Sequence, residues 1–118
     1  MHRLFFLFWI TVTVSELASV PARAQKGKPI RVLIVDGFSN HDWKQTTKVT
    51  RWILEESGRF QVDVSTIPAD SAQRLGWLPD FKNYAVVIQN TNNIQSPRLR
   101  WPAPAEQALE AYVSEGGG

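Results

Sequence analysis

Once the N-terminal stretch described below is set aside, His41 is the one imidazole in the chain, so any histidine-based proton transfer falls to it. It sits in the polar block Asp36-Gly37-Phe38-Ser39-Asn40-His41-Asp42-Trp43, directly after an apolar run. With Asp42, or with the nearby Asp36, it could work as a general acid/base or supply two metal ligands. Adjacent residues rarely aim at one centre, however, and on spacing alone a plainer reading is stronger: Asp42 caps a helix and His41 is a polar loop residue. A second polar block, Asn90-Thr91-Asn92-Asn93, follows another apolar run. Asn90, Asn92 and Asn93 can read ligand hydroxyls, or simply satisfy the backbone of an irregular loop. Trp43 and Trp101 offer flat apolar faces for a sugar ring, although tryptophans so placed more often serve packing.

Other chemistries are not supported. Gly37 stands alone where a phosphate-cradling loop needs several glycines, so nucleotide binding is not expected. Ser39 lies two residues before His41 without the nucleophile-elbow pattern of a serine hydrolase. No cysteine is present, which excludes disulfides, thiolate nucleophiles and cysteine-ligated zinc from this stretch. No metal and no cofactor is expected.

The elements that must position these blocks follow from periodicity. Ile30-Arg31-Val32-Leu33-Ile34-Val35 is a β-branched run closed by Asp36-Gly37 and reads as a buried strand. From Lys44 to Ser57 the period becomes helical. Val49, Trp52, Ile53 and Glu56 mark one stripe, Asp42 is the N-cap with Gln45 as its partner, and Gly58 is placed for the C-terminal cap. Phe60 to Ile67 alternates like a strand nearer a sheet edge. Pro68 to Gly76 is loop with one helical turn at 69–75, and Tyr84 to Gln89 is a further apolar strand. A helix from Pro104 to Glu115 carries Ala105, Ala108, Leu109, Tyr112 and Val113 on one stripe. This alternation predicts an α/β fold, a doubly wound parallel sheet with helices on both faces. If the strand order is 2-1-3, the ligand crevice lies at the carboxyl ends of the first and third strands, where both polar blocks fall.

Composition fits a folded domain: 43% apolar and 20% charged residues over 118 positions. The formal charge of +2 falls to about +1 without residues 1–24, too little to organise binding to nucleic acid or an anionic membrane. Residues 1–24 have the three-part layout of a secretory signal: His2-Arg3, the apolar run Leu4–Val14, then Pro21-Ala22-Arg23-Ala24. The run is about half the ~20 residues needed to span a bilayer, so cleavage after Ala24 and no lasting membrane anchor are expected. That places the mature chain, residues 25–118, in the periplasm or outside the cell. Gly116-Gly117-Gly118 reads as the turn leading back into the sheet, and the domain is expected to be truncated after its third strand and the following helix.

The blocks Val32-Leu33-Ile34-Val35-Asp36-Gly37, Asn40-His41-Asp42-Trp43 with Thr46-Thr47, Tyr84-Ala85-Val86-Val87-Ile88-Gln89-Asn90 and Ala108 to Gly118 together resemble the N-terminal part of the ThuA-like (trehalose-utilisation-like) family. They cover nearly all of residues 25–118 in order. The resemblance implies a class I glutamine-amidotransferase-like fold of flavodoxin type and a link to bacterial carbohydrate metabolism with an undefined reaction. In that family the glycine turn leads to a strand at the place where true amidotransferases carry their cysteine. That segment is missing here, so no amidotransferase role carries over. The family's polar first loop maps onto Asn40, His41 and Asp42 and strengthens His41 as a site residue.

Two functions follow. One is an exported enzyme acting on a glycoside or disaccharide, with His41 and Asp42 as catalytic candidates and Asn40, Trp43, Asn90, Asn92 and Trp101 as ligand-binding candidates. The other is a sugar-binding or accessory module without chemistry. A non-functional fragment is the blandest outcome. The oligomeric state is not legible.

Overall fold

A computed structural model describes residues 27–118; the expected signal, residues 1–24, lies outside the described residues. Strand β1 (Ile30–Asp36) leads into helix α1 (Trp43–Glu56), strand β2 (Phe60–Thr66) and the short helix α2 (Ser71–Leu75). A 3-10 turn at Phe81–Asn83 precedes strand β3 (Val86–Gln89), and helix α3 (Ala103–Ser114) follows. The three strands form one parallel sheet in the order β2-β1-β3. This is the flavodoxin-like, doubly wound α/β arrangement expected from the sequence.

Alternation along β1 sends its side chains to two cores. Leu33 and Val35 join Ile67, Phe81, Trp101, Ala105 and Tyr112 on the side covered by α3 and the 3-10 turn. Val32 and Ile34 join Val62 on the other side, with half-buried Leu54 of α1 packed against them. Because both faces of β1 are covered at its centre, residues 32–35 are continuously apolar; β2, at the edge, alternates. Within the first core Trp77 meets Trp101 edge-on at 5.2 Å, and Phe81 stacks on Trp101 at 6.1 Å. Trp101 is therefore chiefly a packing residue.

Helix α1 starts where capping requires. An Asp42 carboxylate oxygen accepts from the Gln45 amide at 3.1 Å, and Gly58 takes φ 66° just past the helix end. Its orientation differs from what the apolar stripe suggests. Val49, Trp52 and Ile53 point away from the sheet, with Trp52 62% exposed. The sheet side carries Trp43, Thr47, Thr50 and Leu54, all buried or half-buried. The physical reason is polar: Thr47 must face Asp36 at the end of β1, and a helix cannot present both faces to one sheet. On α3 the predicted stripe does pack inward, except for Val113, which is 57% exposed.

β3 begins later than the apolar run does. The Tyr84 amide closes the 3-10 turn by donating to the Phe81 carbonyl at 3.0 Å, and pairing with β1 starts at Ala85. Nearby, Arg31 pairs with Asp63 at 3.1 Å and lies 4.7 Å over the Tyr84 ring. Burial raises the Tyr84 pKa above its ordinary value, and a hydrogen bond to the Asp63 carboxylate adds to the rise.

Beyond α3 the chain turns at Gly116, φ 96°, and reaches the open side of β3. Gly118 donates to the Ala85 carbonyl at 3.4 Å and accepts from the Val87 amide at 2.8 Å, the pattern of a parallel rung. Gly117 lies against the Tyr112 ring, where an added Cβ would come within 2.3 Å of ring atoms.

Candidate functional site

The carboxyl ends of β1 and β3 lie side by side, and both polar blocks leave the sheet there. Gly37 makes the first exit: its φ is 133°, and a side chain would meet the Ile67 carbonyl oxygen at 2.7 Å. Only glycine lets the loop pass this close to the next strand's end. Helix α1 then begins at Trp43, so residues 37–42 form a short, tightly held turn.

Asp36 is buried, 2% exposed, yet has no charged partner in the sheet. Instead two hydroxyls donate to it, Thr47 at 2.7 Å from α1 and Thr66 at 2.6 Å from β2. Asn90, the first residue after β3, is also buried. Its Nδ2 donates to Thr47 Oγ1 at 2.9 Å and to the Trp43 carbonyl at 3.0 Å. Its Oδ1 lies 3.1 Å from His41 Nε2, while His41 Nδ1 lies 2.8 Å from Ser39 Oγ. Asn92 completes the bridge between the loops, donating to both Ser39 Oγ and Asn40 Oδ1. Among the described residues, no buried side-chain polar atom lacks a hydrogen-bond partner. The loops are thus stitched into one network rather than lying loosely apart.

Beside this network opens a cleft of about 440 Å³, lined by Phe38, Thr91, Asn92, Asn93, Trp101 and Glu106 among others. Asn92 belongs to both cleft and network. His41 is exposed at the surface next to the cleft and does not form its wall. Among the described residues no group of three or more His, Cys, Asp or Glu side chains converges as a metal site. No described helix is long and apolar enough to cross a membrane.

No family model matches this sequence. No curated protein matches it. Among solved structures, the fold is similar to that of a ThuA-like protein from Parabacteroides merdae, with a TM-score of 0.69 and 35% sequence identity. The chain carries a ThuA-like domain. The match takes in 77% of this chain and 31% of that protein, so the chain spans about a third of its relative's length.

In this ThuA-like chain the candidates from the sequence separate into groups. His41, Asn90, Asn92 and Asn40 come together in the network described above. Trp43 is half-buried under Lys44, whose ammonium lies 5.5 Å from its ring; it joins the network through its carbonyl. Asp42 is turned into the helix, capping Gln45, and makes no hydrogen bond to His41 through its side chain. Trp101 lies in the core, 9% exposed, with only a minor part of its surface left to the cleft. Two residues carry more of the site than the sequence suggested: Thr47 and Asp36. A signal existed, since an acidic residue closing a buried strand needs donors, and the following helix offers threonines at 46, 47 and 50.

Proposed function

We propose that this ThuA-like chain acts on a carbohydrate, a glycoside or disaccharide, with His41 as the acid/base and Asn92 and Asn93 reading ligand hydroxyls. What supports the reading is the placement of an accessible imidazole, held on both ring nitrogens, beside a cleft large enough for a sugar ring to whose wall Asn92 and Asn93 contribute. Neutral amides suit such a ligand, because they offer donors and acceptors without the desolvation cost of burying a charge. We further propose that residues 1–24 are removed on export to the periplasm or beyond. Intact mass of the protein recovered from its native compartment tests this, and retention of residues 1–24 would overturn it.

The absence of His41 from the cleft wall favours a second reading, in which the cleft binds sugar without turning it over. One experiment separates the two. The full-length protein is titrated calorimetrically with a panel of mono- and disaccharides, and turnover of the same panel is followed by chromatography. On the enzymatic reading, His41→Ala lowers turnover at least ~100-fold, the ordinary worth of a general acid/base. Asn92→Ala weakens binding roughly tenfold, as loss of a ligand hydrogen bond does. Binding that depends on Asn92 with no turnover by the unmutated protein leaves the binding-module reading. Turnover that ignores His41 removes that residue from the mechanism.

A further inference from the structure

The hydrogen bonds around His41 run in one direction. Asp36, as a carboxylate, offers only acceptors, so the Thr47 hydroxyl proton points at it over 2.7 Å. With that proton committed, Thr47 Oγ1 can only accept from its other neighbour, Asn90 Nδ2, at 2.9 Å. The second Nδ2 proton goes to the Trp43 carbonyl at 3.0 Å, which fixes the same amide orientation independently. Asn90 therefore turns Oδ1 toward His41, and an oxygen 3.1 Å from Nε2 requires a proton on that nitrogen.

We infer that Asn90, oriented by Thr47, Asp36 and the Trp43 carbonyl, holds neutral His41 as the Nε2–H tautomer and makes Nδ1 the proton-accepting nitrogen of the site. Ser39 Oγ, 2.8 Å from Nδ1, then donates to it while accepting from Asn92 Nδ2. A substrate hydroxyl reaches Nδ1 by displacing Ser39 or by passing its proton through the serine. In the relayed case the substrate proton moves to Ser39 Oγ as the serine proton moves to Nδ1, leaving an imidazolium and a substrate oxyanion. Asn90, Thr47 and Asp36 are positioning residues, since they are buried and act only through His41. The inference rests on His41 being the acid/base of the proposed function, but its test needs no substrate.

Nitrogen-15 NMR of the full chain, labelled at histidine and assigned with His41→Gln, reads the two ring nitrogens separately at a pH where imidazole is neutral. The expected wild-type spectrum shows Nε2–H over Nδ1–H by roughly tenfold, as one net hydrogen bond gives. Asn90→Leu should collapse that ratio to the mixture of a free imidazole. Thr47→Val should lower it part-way, and Thr47→Ser should restore it. A wild-type Nδ1–H tautomer, or a free-imidazole mixture, overturns the inference. So does an unchanged ratio in Asn90→Leu that keeps the folded amide pattern; if that variant unfolds, the wild type and the Thr47 pair decide. A tautomer as expected alongside turnover that ignores His41 would leave the inference standing and sink the catalytic reading.

Discussion

Gly37 shows how one residue sets the geometry of a whole loop. Its backbone conformation is left-handed in sign, and the Ile67 carbonyl fills the space where a side chain would begin. Gly37→Ala is expected to cost about 1–3 kcal/mol from the backbone conformation alone, more if the carbonyl must shift. Urea unfolding measures this, and an unchanged midpoint would mean the turn relaxes freely. At this scale the sequence was informative about His41 and Asn90, because each follows an apolar run that ends at the sheet's carboxyl edge. Asp42 is the helix cap that the plainer sequence reading made it, and not the partner of His41 that adjacency also allowed. The helix start takes that carboxylate, and the buried Asp36 serves the imidazole instead through Thr47 and Asn90. Connections made through two intervening side chains leave no spacing signature.

Helix α1 gives the clearest lesson about elements. Its apolar residues at 49, 52 and 53 fall on one stripe, but that stripe faces outward, and the sheet side is half threonine. Periodicity located the helix and its cap correctly because those depend on local contacts. It could not tell which face packs, since that was decided by a buried carboxylate on another element. A matched pair of substitutions tests the assignment. Ile34→Ala, at a position 1% exposed, should cost about 2–5 kcal/mol. Ile53→Ala, at a position 57% exposed, should stay within ~0.5 kcal/mol. Equal losses in urea denaturation would mean that α1 is rotated from the orientation described. For β3, the six-residue run from Tyr84 to Gln89 gave a strand of four, because the 3-10 turn before it uses the Tyr84 amide.

For the molecule as a whole, the alternation of strands and helices gave the parallel, doubly wound fold, whereas the order β2-β1-β3 entered the sequence reading only as a condition and is a finding of the structure. The two cores lie on either face of β1, with β3 also contributing to both, so global stability should respond to groups at the flanks of β1. Tyr84 is one of them. Burial, with Asp63 beside it, opposes ionisation of the phenol in the folded chain, so its folded pKa lies above the unfolded value of about 10. Below that value the phenol is neutral in both states and its contribution is fully present. As pH rises through the folded pKa, the unfolded chain having ionised first, that contribution is lost. Thermal melts of the protein and of Tyr84→Phe, compared near neutral pH and near pH ~11, should show a steeper alkaline fall in the unmutated chain. Parallel curves would mean that Tyr84 is not coupled to folding.

The closing glycine turn has a spectroscopic consequence. Gly117 sits against the Tyr112 ring, close enough that no β-carbon would fit. Its α-protons therefore lie in the shielding zone of a single aromatic ring, while the Gly118 carbonyl accepts from the phenol hydroxyl at 3.1 Å. Upfield-displaced glycine signals would appear only while the turn is seated on β3 and would vanish in Tyr112→Leu. One pair of resonances thus reports, without labels or ligands, whether the far edge of the sheet is docked.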